Sequence, residues 1–279
     1  MKKKNKWSTF VLLSIFFVGL SVMLYPAISS YWNTRSQSQA IVDYEKMLES
    51  IPKEDYTQFF DQADEYNEKL RKLENPLLDY KTLDNYLEIL DLSGTGMMGY
   101  ISIEKIALEL PVYHTTNDNV LAVAAGHLEG TSFPVGGEGT HAVISAHRGL
   151  PTAVLFTNID RMELGDTFKF TILDRTITYQ VDQIKVIDPS NATDLMIEEG
   201  KEYCTLLTCT PYGINTHRLL VRGVRIESVE QKTLYVISDA HQIDSLIVTP
   251  IVALPILFTL MMIVLFKPVK KDDLGDEFE

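Results

Sequence analysis

Tyr203-Cys-Thr-Leu-Leu-Thr-Cys-Thr-Pro-Tyr-Gly-Ile-Asn-Thr-His-Arg218 decides how this chain is read. Tyr203 to Thr208 is rich in aromatic, apolar and β-branched residues, the composition of a strand. Pro211-Tyr-Gly213 supplies a turn, and Arg218-Leu-Leu-Val-Arg-Gly-Val224 reads as the returning strand. Cys209 falls where the first strand gives way to the turn, and Arg218 opens the second. If the two strands pair, the guanidinium returns beside the thiol. A permanent cation there stabilises a thiolate and can donate to an oxyanion. Cys204 lies five residues earlier, so alternation along a strand turns it to the opposite face, as a small core residue. About 3.3 Å per residue puts the two sulfur-bearing residues roughly 16 Å apart, beyond the ~7 Å that a disulfide spans between Cα atoms. These are the only two cysteines among 279 residues, too few for a disulfide-stapled exported domain.

Outward from this hairpin the character stays β. Strand-like runs begin at Tyr100, Leu108, His141, Thr167 and Arg175, with turn formers at Gly136-Gly137, Gly165-Asp166 and Asp188-Pro189 between them. Short strands with few intervening helices predict a barrel or sandwich rather than a parallel α/β sheet. A thiol nucleophile needs a base, and six histidines offer choices. His147 follows the apolar run Ala142-Val-Ile-Ser-Ala146 and precedes Arg148-Gly149, so it projects from a strand end as Cys209 does. His127, in Gly126-His-Leu-Glu-Gly-Thr131, is the rival, read as shaping a glycine-flanked turn. Alone, a strand-end histidine is ordinarily a cap and a strand-opening arginine a surface charge. Their convergence with an otherwise unexplained thiol makes Cys209, His147 and Arg218 the candidate catalytic set. No HExxH or paired CxxC occurs, and neither a metal nor a cofactor is expected.

The N-terminal side is helical. Tyr56, Phe59, Phe60, Ala63, Tyr66, Leu70 and Leu73 recur at three- and four-residue steps, Pro52 separates this stripe from a helix carrying Ile41, Tyr44, Met47 and Leu48, and Asn75-Pro76 closes the helical region before a loop, Leu77-Leu-Asp79. Two apolar stretches flank the whole: Phe10–Tyr25 and the uncharged Leu246–Phe266. About 20 such residues cross a bilayer. Lysines outside both stretches predict cytoplasmic termini and an outward-facing middle. The expected segmentation is a cytoplasmic N-terminus over 1–9, a span or signal anchor over 10–31, a helical region over 32–97, the β domain over 98–230, a linker over 231–245, a second span over 246–266 and a cytoplasmic tail over 267–279. The net charge of −13 argues against nucleic acid.

With these residues in view, the chain resembles the sortases of Gram-positive bacteria. Thr205-Leu-Leu-Thr-Cys209 fits their TLxTC motif, and Cys209–Arg218, Gly126–Thr131 and Thr140–Pro151 are similar to segments of the class C, pilus-building branch. The likeness runs from about Met98 to Ile226. It implies an eight-stranded sortase-type β-barrel, mainly β, with an N-terminal helical region and two flanking transmembrane helices. It implies a cysteine transpeptidase that cleaves an LPxTG-like sorting signal between threonine and glycine, holds the threonine as a thioester on Cys209, and releases it to an amine. The acceptor is a pilin lysine in class C enzymes and a cell-wall peptide in those that anchor surface proteins. His147 would serve as acid and base, Arg218 would brace the carbonyl oxygen, and Thr208 of the motif would border the substrate groove. The partners implied are LPxTG-bearing pilins or surface proteins, at the membrane of a Gram-positive bacterium. One departure stands out. Class C enzymes carry an Asp-Pro-aromatic lid, whereas this chain has Asn75-Pro76-Leu77, without the carboxylate or the ring. Two further readings are a papain-like cysteine protease, disfavoured by the His, Cys, Arg order, and a non-catalytic membrane scaffold, which leaves the thiol without a purpose.

Overall fold

The computed structural model describes residues 6–52 and 56–227, with 253, 255–259 and 262. It divides into two compact units, one formed by 1–28 with 233–279 and the other by 29–232.

Helix α1 runs without interruption over Lys6–Ser50, with Pro26 inside it. The sequence predicts a span ending near residue 31 and a new helix from Ser38; instead a single helix carries both. Nothing between Ser29 and Ser38 breaks it, because no glycine or proline intervenes. Its apolar part is long and hydrophobic enough to cross a membrane, with mean hydropathy 1.8 and 6% of that window buried. The second expected span, 246–266, lies mostly outside the described residues; those that are described, 253, 255–259 and 262, are helical.

Within the 29–232 unit, the C-terminal part of α1 is fastened to the β domain. Ile41 and Tyr44 are buried. The Tyr44 hydroxyl donates to the Met98 carbonyl at 3.1 Å and accepts from the Leu173 amide at 2.9 Å. Asn33 Nδ2 donates to the Thr152 carbonyl at 2.8 Å. After Pro52, α2 (Tyr56–Arg71) buries Tyr56, Phe60, Ala63, Tyr66, Asn67 and Leu70, the stripe expected of its period. The Asn67 side-chain amide exchanges two bonds with Phe133, at 2.7 and 3.2 Å, which holds α2 against the loop before the central strands.

Eight strands close into a barrel: β1 (Met97–Ile103), β2 (Leu108–Tyr113), β3 (Ala125–His127), β4 (Thr140–Ser145), β5 (Thr167–Ile172), β6 (Arg175–Ile187), β7 (Glu202–Thr210) and β8 (His217–Ile226). Their order is β1-β2-β3-β4-β7-β8-β6-β5, with β5 returning to β1. Two neighbouring pairs, β2 with β3 and β4 with β7, are parallel; the rest are antiparallel. Closure leaves no unpaired edge, and the interior fills with Ile101, Ile144, Phe168, Phe170, Leu206 and Val221 among others.

Two differences from the sequence reading concern strands. β3 was not anticipated: three residues, one of them glycine, are too few to show alternation. β6 continues to Ile187, well past Val181, because its register shifts between Val181 and Gln183. Such a bulge breaks the two-residue alternation that marks a strand in sequence. A third difference lies at the end of the helical region. Residues Pro76–Asp79 form a one-turn helix, α3, with Pro76 at its first position, where a missing N–H costs nothing. Leu77–Asp79 is therefore helical rather than a loop.

Candidate active site

The strand order sets the candidate residues side by side. Cys209, in β7, pairs directly with Arg218, in β8. On the other flank of β7, parallel β4 pairs Ser145 with Leu207, and the Ala146 amide extends the ladder to the Leu207 carbonyl at 3.2 Å. Cys209 thus stands opposite Arg218, about 5 Å away at ordinary strand spacing, and His147, two residues past the last β4–β7 pair as Cys209 is, follows β4 out at the same end of that ladder. Directly opposed residues point to the same face of an antiparallel pair, so Cys209 and Arg218 share a face.

Cys209 is half-buried and unpaired, and Cys204 is unpaired and wholly buried. Burial pushes the Cys204 thiol far above its ordinary range, which makes it inert. Arg218 Nη1 donates to the carbonyls of Asn215 and His217, at 3.3 and 3.1 Å. Its fork is thereby held by its own turn, with other donors left over.

Three other histidines have duties elsewhere. His127 is fully buried in β3; its Nε2 donates to the Ser132 carbonyl at 2.8 Å and its Nδ1 accepts from the Tyr86 hydroxyl at 2.9 Å. Burial holds its pKa down to about 4. It is a buried strand residue rather than the turn former expected from its glycines. His141 is likewise enclosed: Nδ1 donates to the Met196 carbonyl at 2.9 Å, Nε2 accepts from the Thr205 hydroxyl at 2.7 Å, and burial lowers its pKa. His114 is buried between the carbonyls of Gly96 and Ile89, each 2.8 Å from a ring nitrogen. His217 is exposed and pairs with Thr210, one step along from Arg218 and so on the opposite face. His241 lies outside the described residues. Among the described histidines, His147 alone follows β4 out at the end where Cys209 lies on β7.

Thr208 does not line a groove. It is buried, and its hydroxyl donates to the Ala146 carbonyl at 2.7 Å. Alternation turns it to the barrel interior along with Cys204 and Leu206, while Thr205, Leu207 and Cys209 face outward. Thr208 is thus a tie between β7 and the β4 end that leads to His147.

The outward face of β4, β7 and β8 carries a second apolar cluster, built on Val143, Ile187, Leu195 and Leu220. Beside it runs a groove of about 400 Å³, lined by Leu77, Leu128, Ile187, Leu195, Leu207 and Arg218 among others. Arg218, which pairs with Cys209, connects it to the thiol. Leu77 lines the groove, whereas Leu78 is 71% exposed. Asn75 is exposed and caps α3 without a side-chain hydrogen bond. The Pro76–Leu77 backbone rests on Gly130: a Cβ there would stand 2.8 Å from both Leu77 Cα and the Pro76 carbonyl oxygen. Sequence reasoning missed the groove's Leu128, which follows β3, and Ala192 and Leu195, which come from the β6–β7 connection; they carry no shared pattern. Among the described residues, no cluster of His, Cys, Asp or Glu could hold a metal ion.

Residues 101–226 match the Sortase domain family. Sortase C1 from Streptococcus agalactiae is similar at 44% identity and TM-score 0.63, over 68% of this chain and 100% of that one. Sortase C-1 from Streptococcus pneumoniae is similar at 44% identity and TM-score 0.61, with the same coverage. Sortase D of Bacillus subtilis is 27% identical over 131 residues; the chain spans 63% of that protein and matches it over 46% of its own length.

Proposed function

Because this chain belongs to the sortase family of cysteine transpeptidases, we propose that it cleaves an LPxTG-like sorting signal and transfers the acyl group to a pilin lysine. The observation that supports this reading is the direct pairing of Cys209 with Arg218, with His147 leaving the neighbouring β4 at the same end of its ladder, beside a groove lined largely by leucine and isoleucine. The Cys209 thiolate attacks the threonine carbonyl carbon, and the oxygen takes up negative charge. Arg218, fixed by its own turn, donates to that oxygen. The Thr–Gly C–N bond then breaks, and His147 gives its proton to the departing glycine amine. A thioester on Cys209 remains. In the second half an incoming amine attacks the thioester, His147 takes the proton, and the thiolate leaves.

The choice of a pilin acceptor rests on the sortase C relatives, at 44% identity over two thirds of this chain. Transfer to a cell-wall peptide is the alternative acceptor chemistry at the same thioester. In this reading the protein sits in the membrane of a Gram-positive bacterium, anchored by the apolar part of α1 and by 246–266, with both termini cytoplasmic and the barrel outside. The decisive test is mass spectrometry of the full chain in detergent after incubation with an LPxTG-like peptide. Wild type and Cys204→Ala should carry the acyl adduct, and Cys209→Ala should not. An adduct on Cys204, or one that persists in Cys209→Ala, overturns the assignment.

A further inference from the structure

We infer that Arg148 is a positioning residue for this reaction, setting the distance between His147 and Cys209; the inference rests on the transpeptidase reading above. His147 follows the end of β4 and Cys209 lies near the end of β7, where the ladder between these strands stops. The last backbone link is the Ala146 amide on the Leu207 carbonyl. Beyond it, other contacts must hold the two reacting side chains in register, and Arg148 supplies them.

Its side chain is only 10% exposed, unusual for an arginine near a protein surface. Nη1 donates to the hydroxyl of Thr210, the residue directly after Cys209, at 3.3 Å. Nε donates to the Thr157 carbonyl at 3.3 Å, and Nη2 pairs with the Asp160 carboxylate. The guanidinium also stands 6.0 Å from the Tyr212 ring, in the turn that follows Cys209. One planar fork therefore ties the residue after the base to the residue after the nucleophile, and both to the 157–160 segment. The same segment holds the histidine loop from its other side: Phe156 N–H donates to the His147 carbonyl at 3.0 Å, and the Gly149 amide donates to the Thr157 hydroxyl at 3.2 Å. Gly149 has φ +77°, and a Cβ there would meet the Tyr212 ring at 3.0 Å. The cysteine turn thus lies directly on the histidine loop.

Arg148 suits this task because its donors lie in a fixed plane. A lysine could keep the ion pair with Asp160, but a single ammonium cannot hold Thr157, Asp160 and Thr210 in the same geometry. Asp160 compensates the charge, so the brace adds no unpaired cation next to His147.

The experiment compares full-length wild type with Arg148→Lys, Arg148→Ala and Thr210→Val in detergent. It measures kcat and KM for acylation by an LPxTG-like peptide, together with the Cys209 alkylation rate by iodoacetamide and the thermal midpoint. Misplacing a reacting pair by an ångström can cost on the order of 100-fold. Arg148→Ala should lower kcat by at least about tenfold while KM moves less than about twofold. Arg148→Lys should fall nearly as far, and Thr210→Val should lose a few-fold. Added methylguanidinium should restore part of the Arg148→Ala rate and none of the Thr210→Val deficit. A merely structural role would lower the midpoint without such a split or rescue. If Arg148→Ala fails to fold, Thr210→Val and Arg148→Lys carry the test. Unchanged kcat in both, or a loss confined to KM, overturns the inference. Failure of wild type to form an adduct would instead overturn the transpeptidase reading.

Discussion

Truncating Leu77 to alanine separates two ways in which the 75–77 segment could act as a lid. Leu77 is partly buried against the cluster of Val143, Ile187, Leu195 and Leu220 and lines the groove, while its neighbour Leu78 is 71% exposed. Leu77→Ala removes three carbons. At about 0.8 kcal/mol for each buried carbon, with half of the side chain withdrawn from water, the lost contact is about 1 kcal/mol. That is roughly fivefold in the equilibrium between a seated and an unseated lid. The ordering cost of holding α3 on the barrel opposes seating by a similar amount, and Asn75 brings no carboxylate that could pair with Arg218. Cys209 is already partly exposed with Leu77 seated, and the groove beside it reaches Arg218. A small reagent should therefore notice the change little, and a peptide that must enter the groove should notice it more. Iodoacetamide should alkylate Leu77→Ala no more than a few-fold faster than wild type, and acylation by a sorting-signal peptide should rise by up to about fivefold. Both rates are read by mass spectrometry of quenched samples. A hundredfold rise in alkylation corresponds to about 2.7 kcal/mol, more than Leu77 supplies. It would mean that the lid closes over the thiol itself, and the reasoning would fail.

Gly130→Ala should reproduce the faster peptide acylation while leaving residues 75–77 unchanged in sequence, because its methyl would stand 2.8 Å from Leu77 Cα and the Pro76 carbonyl and push that segment away; it should also cost about 1–2 kcal/mol of stability, since φ is +83° there. An unchanged acylation rate in a folded Gly130→Ala protein counts against a seated lid. His127 has an ordinary pKa of 6.5 and a folded value of about 4, so its contribution is complete above pH 6.5 and is lost as pH falls towards 4. The whole window is worth about 3 kcal/mol. Ring carbon shifts should stay neutral down to pH 5, and a titration midpoint near 6.5 would show that the ring is not enclosed. Cysteine labelling of intact cells, with single cysteines placed at Asn5, Gln183 and Gly275, should mark only Gln183 with an impermeant reagent; labelling at Gly275 from outside contradicts the proposed topology.

The neighbourhood of Cys209 and Arg218 was legible in the sequence because the strands that carry them are joined by one short turn. A hairpin's register is set locally, by the turn and by alternation between the two faces. Alternation likewise separates Cys204 from Cys209, and it assigns Thr208 to the interior as well, a consequence that the motif obscured. The apolar stretch at the N-terminus and the stripe of α2 were readable for the same reason, since each period lies within one element. His147 is different. Its place beside Cys209 depends on a parallel pairing of β4 with β7, which are separated in sequence by two further strands, β5 and β6. No local pattern encodes which strand a crossover returns to. The groove, drawn from separate connections and from α3, and the brace formed by Arg148, Thr157, Asp160 and Thr210, exist only once the barrel has closed. Residue types at 147, 209 and 218 determined which chemistry was available, and closure of the barrel decided that the β4 end leading to His147 lies beside the β7 end that carries Cys209 opposite Arg218.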